Sequence, residues 1–192
     1  MGVGPAIISP IIKAIRIFDT FPVCTTMNTS ITLKNFFGTS EAELQEIFAD
    51  WKVEPYRVHQ VFTWVYHYHC RDFNEMTNLS KSLRSQLQER FCFALPKIKT
   101  RTHSKDGSIK YLLELDDGAE VESVWMPSDS RKTLCLSTQV GCRLNCSFCL
   151  TASLGLKRNL TAGEIIGQHL AINAELKEDD RITNVVFMGM GE

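Results

Sequence analysis

Net charge is nearly absent from this sequence: 21 lysines and arginines stand against 22 aspartates and glutamates, a formal −1. A chain so balanced exerts no global pull on nucleic acid, and any phosphate contact must come from local patches. Long apolar runs are missing as well. The stretch MGVGPAIISPIIKAIRIFDTFPVC is interrupted by Pro10, Lys13 and Arg16, well short of the roughly 20 apolar residues that span a bilayer. No leader or membrane anchor is read from it, and a cytoplasmic protein is expected. A paired set of cysteines is missing too. Seven is an odd count, and four fall between Cys135 and Cys149, too close for sensible mutual disulfides. That favours a reducing compartment and thiols that bind metal or react. Residues 1–26 differ in character from the rest, and Met27 is a candidate start.

What is present suits one good core, or a small domain leading into a second, at 44% hydrophobic and 22% charged residues. After an extension over 1–38, helical periodicity begins. Ser40 and Glu43 form an S-x-x-E capping box, followed by Leu44, Ile47, Phe48 and Trp51 on one face, which predicts a helix over 41–51. A second helix is expected from Pro55 to Tyr68, with Val58, Val61, Phe62, Val65 and Tyr66 on its apolar face. Leu79, Leu83, Leu87 and Phe91 predict a third, ending before Pro96. Residues 39–95 therefore read as a small helical domain.

The period then changes to two. Lys97, Lys99, Arg101, His103 and Lys105 alternate along a strand, Asp106-Gly107 turns it, and SIKYLLEL returns. The basic ridge reads equally well as a solvated edge strand or as a phosphate-contacting strip. A further strand, EVESVWMP, completes a hairpin-and-linker region over 96–130. From 131 the order is strand (Thr133–Thr138), cysteine loop, helix opened by the capping box Thr161-x-x-Glu164, then the strand in RITNVVFMGMGE. This βαβ order predicts parallel strands joined by a crossover helix. Two such strands cannot bury both faces of a sheet, so 131–192 is expected to be the first piece of a larger α/β domain or barrel.

Cys142, Cys146 and Cys149 read C-x3-C-x2-C, with Cys135 one strand upstream. A structural zinc site wants four ligands, usually as two pairs, and no second pair exists; recruiting Cys135 or His169 would draw on a strand and a helix. Cys24, Cys70 and Cys92 read as plain buried thiols. Three thiolates in one loop suit an iron–sulfur cube with one iron left open to a substrate or cofactor, and Phe148 between two of them would shield such a cluster.

These motifs resemble the radical S-adenosylmethionine (SAM) enzymes. More closely, TLCLSTQVGCRLNCSFCLTASLGLKRNLTAGEIIGQ and ITNVVFMGMGE, with EPYRVHQVFTWVYHYHCRDFNEMTNLSKSLRSQL and VESVWMP upstream, resemble the RNA adenine-C2 methyltransferases of the RlmN type, over roughly residues 40–192. The resemblance implies an α/β fold: an N-terminal helical domain, a β-hairpin, then the start of a radical-SAM partial barrel. It implies a 4Fe–4S cluster on Cys142, Cys146 and Cys149, and SAM contacted by Gly191 and Glu192. The implied reaction methylates C2 of adenine in 23S rRNA, in the peptidyl-transferase region, and in tRNA, 3′ of the anticodon. Two SAM molecules are used: one methylates a cysteine near the C-terminus, the other yields a 5′-deoxyadenosyl radical.

Glu122 matches the family's proton acceptor, with Glu120 the neighbouring alternative on the same strand face. Cys135 matches the cysteine that resolves the protein–RNA crosslink by thiolate attack. Strand parity agrees: Leu134 and Leu136 share one face, so Cys135 and Ser137 share the other. The implied partners are rRNA, tRNA and an external flavodoxin-like electron donor, acting on a monomer. Trp64, Tyr66 and Tyr68 are candidates for stacking on bases, Tyr66 reading more as core, and Lys157 and Arg158 are candidates for phosphate. The sequence holds no cysteine after Cys149. The family's methyl-carrying cysteine is therefore missing, and the 192 residues alone are expected not to complete the reaction. The rival reading is a zinc- or cluster-containing RNA-binding module without catalysis.

Overall fold

The computed structural model describes residues 33–144 and 146–191. Cys24, Met27 and Glu192 lie outside them. Helix α1 (Glu41–Asp50) starts where Ser40 Oγ accepts from the Glu43 amide at 3.2 Å and buries Leu44, Ile47 and Phe48. Helix α2 spans Tyr56–Phe62 and then widens into a π-helical turn, Thr63–His67, instead of continuing as α-helix to Tyr68. The Thr63 hydroxyl donates to the His59 carbonyl at 2.8 Å, and the Tyr68 amide reaches the Thr63 carbonyl at 3.1 Å. Such back-bonding by a threonine competes with the regular helical ladder. Helix α3 (Lys81–Arg90) is capped by Ser80 and buries Leu83 and Leu87.

Phe36 and Phe37 sit at the centre of this helical layer, ahead of the first expected helix. Phe36 is fully buried, with its ring 5.4–6.0 Å from those of Phe62, Phe73, Phe91 and Phe93. Burying one such ring contributes about 3 kcal/mol. The short strands β1 (Lys34–Asn35) and β2 (Phe91–Cys92) pair in parallel beside it.

The main sheet has five strands: β3 (Lys97–His103), β4 (Ile109–Glu114), β5 (Glu120–Pro127), β6 (Lys132–Cys135) and β9 (Asn184–Val186). The first three pairings are antiparallel and β6 runs parallel to β9, with Cys135 opposite Val186. The crossover helix α4 (Ala162–Glu175) opens with both halves of the Thr161–Glu164 capping box formed. Between β6 and α4 lies an antiparallel pair that periodicity did not reveal, β7 (Gln139–Gly141) and β8 (Leu156–Asn159). Helix α4 joins the two layers. Its Leu170 and Ala171 belong to the helical core, while Ile172 packs with Tyr111, Leu113, Leu134 and Leu136 beneath the sheet. Among the described residues no helix is long and apolar enough to cross a membrane.

The basic ridge does not survive folding as a strip. A bulge between Ile98 and Thr100 shifts the register, so Thr100 pairs with Leu112 and Arg101 with Tyr111. Lys99 is held by Glu114 at 3.0 Å and Glu120 at 2.6 Å. Arg101 turns to the α4 side and binds the Glu175 carboxylate, its Nε donating at 2.7 Å. The ridge's central cations are neutralised within the fold and offer no continuous phosphate track.

Candidate active site

The β7–β8 pair forms the two feet of the cysteine loop. Gln139 Nε2 donates to Asn159 Oδ1 at 2.9 Å, and the Cys142 amide donates to the Gly155 carbonyl at 3.2 Å. Within the loop, the Cys149 amide donates to the Cys146 carbonyl at 3.0 Å. Cys142, Cys146 and Cys149 are free, half-buried thiols, a soft donor set that fits an iron–sulfur cluster. Among the described residues, however, no three His, Cys, Asp or Glu side chains converge as a metal group. Phe148 and Leu150 are 91% and 87% exposed.

Beside the loop, the sheet face opposite α4 carries the other candidates. Cys135 is paired with Val124, and Glu122 lies two residues from Val124 on β5, so both side chains project from one face. Cys135 is 8% exposed and stands outside the apolar cluster that holds Leu134 and Leu136. Glu122 is half-buried and ion-paired to Lys110 Nζ at 2.8 Å. Glu120, the alternative, is engaged by Lys99. Glu122 is thus the carboxylate nearer the strand that bears Cys135.

The segment Gly189–Gly191 lies against the end of that same strand. The Gly189 amide donates to the Leu136 carbonyl at 3.2 Å, the Thr138 and Gln139 amides donate to the Met190 carbonyl at 2.8 and 3.1 Å, and Thr138 Oγ1 donates to the Gly191 carbonyl at 2.7 Å. A Cβ on Gly189 would stand 2.7 Å from the Leu136 carbonyl oxygen, and one on Gly191, at φ 89°, 2.4 Å from the Gln139 side chain. Only glycine lets this backbone lie so close. Gly191 consequently sits beside Gln139, the residue that opens the cysteine hairpin. Candidate cofactor contact and candidate cluster loop share one strand end.

Sequence reasoning missed the residue that organises this corner. Gln168 on α4 is fully buried. Its Oε1 accepts from Ser123 Oγ at 2.8 Å and from the Ser137 amide at 3.1 Å, and its Nε2 donates to the Ser137 carbonyl at 3.0 Å. The available signal was a polar residue on the apolar stripe of Ile165 and Ile172.

Other expectations are corrected. Arg158 is engaged within the fold: its guanidinium grips Glu164 at 2.7 Å and Asp117 at 2.8 Å, and the hydrogen bonds it donates to Glu164 hold its charge more firmly than usual. Lys157 is exposed. Cys92 is disulfide-bonded and not a plain thiol. Cys70 is an inert thiol, pushed up to about 11 by burial. Tyr66 packs against the helical core, its hydroxyl 3.5 Å from the Phe37 carbonyl, whereas Tyr68 is 60% exposed with Trp64 5.3 Å away. Burial and the neighbouring His69 lower the proton affinity of His169.

Residues 34–93 match the model of the ribosomal RNA large subunit methyltransferase N-terminal domain. The dual-specificity RNA methyltransferase RlmN of Alkalilimnicola ehrlichii is 45% identical over 159 residues, 82% of this chain and 44% of that protein. The RlmN of Paracoccus denitrificans is 51% identical over 146 residues, 71% of this chain and 37% of that protein.

The chain is of the RlmN type over the residues it shares with these proteins.

Its fold agrees with that assignment. A radical SAM methyltransferase from Sphaerobacter thermophilus superposes with a TM-score of 0.71 at 40% identity, covering 83% of this chain and 47% of that one. The chain spans 37–44% of the length of these two RlmN relatives. Glu192, the second expected cofactor contact, lies outside the described residues.

Proposed function

We propose that this chain supplies the cluster loop, part of the SAM contact and the proton acceptor of a radical SAM RNA adenine-C2 methyltransferase. The observation that carries this reading is the meeting of three features at the end of β6: the C-x3-C-x2-C loop, the glycine turn at 189–191, and the open sheet face bearing Cys135 and Glu122. In this reading that face lines the interior of a partial barrel. Cys142, Cys146 and Cys149 would hold a 4Fe–4S cluster, and Gly191 with Glu192 would contact SAM. Bound together, the cluster and SAM supply a carbon radical strong enough to functionalise an adenine carbon that ordinary methyl donors do not attack.

The chain's own groups do the positioning and the acid–base work. Glu122, oriented by its 2.8 Å ion pair with Lys110, takes the proton from adenine C2. Cys135, near-buried on the same face, resolves the covalent protein–RNA adduct by attacking sulfur, leaving a disulfide and releasing the RNA. The helical layer holds 23S rRNA or tRNA with the target base unstacked. An external flavodoxin-like electron donor and a monomeric state belong to the same reading. With no cysteine after Cys149 to carry the methyl group, the 192 residues alone complete no transfer.

The test is anaerobic reconstitution of the chain, followed by incubation with SAM, reductant and rRNA or tRNA, with nucleosides resolved by mass spectrometry. The expected result is iron bound at the three cysteines and no 2-methyladenosine. Methyl transfer by these residues alone contradicts the inactivity, and a chain that never binds iron contradicts the reading itself.

A further inference from the structure

The antiparallel ladder between β5 and β6 stops at Val124 and Cys135. Continued by one more pair of that face, it would set Glu122 opposite Ser137. The backbone of Ser137 is diverted there, its amide donating to Gln168 Oε1 at 3.1 Å and its carbonyl accepting from Gln168 Nε2 at 3.0 Å. The serine side chain takes the place of the missing rung. Its hydroxyl donates to the Glu122 carbonyl at 2.6 Å and accepts from the Met190 amide at 3.0 Å. A hydroxyl has one proton to give, and the peptide amide of Met190 can only donate, so the direction of both bonds is fixed. Ser137 is fully buried, so water does not compete for either bond.

We infer that Ser137 is a positioning residue whose hydroxyl ties the backbone of Glu122 to the Gly189–Gly191 turn. The inference rests on the functional reading above, in which Glu122 is the proton acceptor and the turn contacts SAM. One oxygen atom then sets the spacing between base and cofactor segment. Gln168 supports it from the other side by binding the Ser137 peptide as a neighbouring strand would. A residue with a merely structural role would weaken the whole fold when changed; this one loosens the turn specifically.

The experiment compares Ser137→Thr with Ser137→Val in the anaerobically reconstituted chain. The two variants have the same shape and differ only in the hydroxyl, so any cost of the added methyl is common to both. Amide hydrogen exchange is followed at Met190 and in α1 and α3, and SAM binding is followed by equilibrium dialysis. The Val variant is expected to exchange about tenfold faster than the Thr variant at Met190, the loss of roughly one buried hydrogen bond, with α1 and α3 unchanged. Its SAM affinity falls by a similar factor. Equal exchange at Met190 in the two variants overturns the inference, as does an equal acceleration in α1 and α3. If neither variant nor the parent binds SAM while the exchange difference persists, the tie stands and the functional reading fails.

Discussion

Gln168 and Ser137 face each other as two peptides of one sheet would: the glutamine oxygen accepts from the serine amide at 3.1 Å, and the glutamine nitrogen donates to the serine carbonyl at 3.0 Å. Gln168→Leu keeps the volume and removes both partners, leaving two buried backbone groups unsatisfied at about 1–3 kcal/mol each. Urea unfolding of the variant is expected to show a loss of roughly 2–5 kcal/mol. A loss below about 1 kcal/mol would mean that water replaces the side chain.

Gly189→Ala tests the turn. Its new Cβ would meet the Leu136 carbonyl oxygen, a backbone atom that cannot swing away. The turn must move off the strand end, at a cost of about 1–3 kcal/mol. Thermal unfolding should report a lower midpoint, and SAM binding by the reconstituted chain should weaken. A variant with the parent's midpoint would show that the close approach is not maintained in solution.

Arg158→Ala separates fold from RNA contact. The arginine joins the β4–β5 turn at Asp117 to the capping box of α4 through Glu164. It is partly exposed, so its removal is expected to cost only about 1 kcal/mol. RNA affinity in a filter-binding titration should be unchanged. A large, salt-sensitive drop in affinity would restore it as a phosphate ligand.

His69 and His169 give the chain a pH dependence. Burial lowers the proton affinity of both; Arg181, Arg71 and His67 add to this at His69, and His69 adds to it at His169. The unfolded chain then binds these protons more tightly than the folded one. Stability is therefore fully present above the ordinary histidine value of about 6.5 and is lost as pH falls through the lower folded values. Urea midpoints measured between about pH 7 and 5 should decline, and His169→Gln should flatten the decline. A parallel decline in the variant would assign the effect to other groups.

Much of this was legible in the residues, because the elements concerned carry their own signals. Ser40 and Thr161 cap helices where the S/T-x-x-E pattern places them, and the alternation in EVESVWMP gives β5. The parity of TLCLST put Cys135 opposite its flanking leucines, as the strand register has it. What was hidden depended on tertiary partners. The bulge at Lys99 leaves no local trace, yet it divides an alternating basic pattern between two faces. The β7–β8 pair is too short for any periodicity. Arg158 reads as a free cation until the fold brings Asp117 to it. Gln168 is an anomaly on an apolar face whose meaning waits for the diverted Ser137 peptide.

The central claim is that Cys142, Cys146 and Cys149 hold an iron–sulfur cluster, and anaerobic reconstitution with iron and sulfide tests it most directly. The account predicts a brown protein with equal iron and sulfide and broad charge-transfer absorption, all lost in a Cys142→Ala, Cys146→Ala, Cys149→Ala triple variant that keeps its helical content. Stoichiometric zinc without that absorption, or a triple variant that binds iron and sulfide as the parent does, would contradict it.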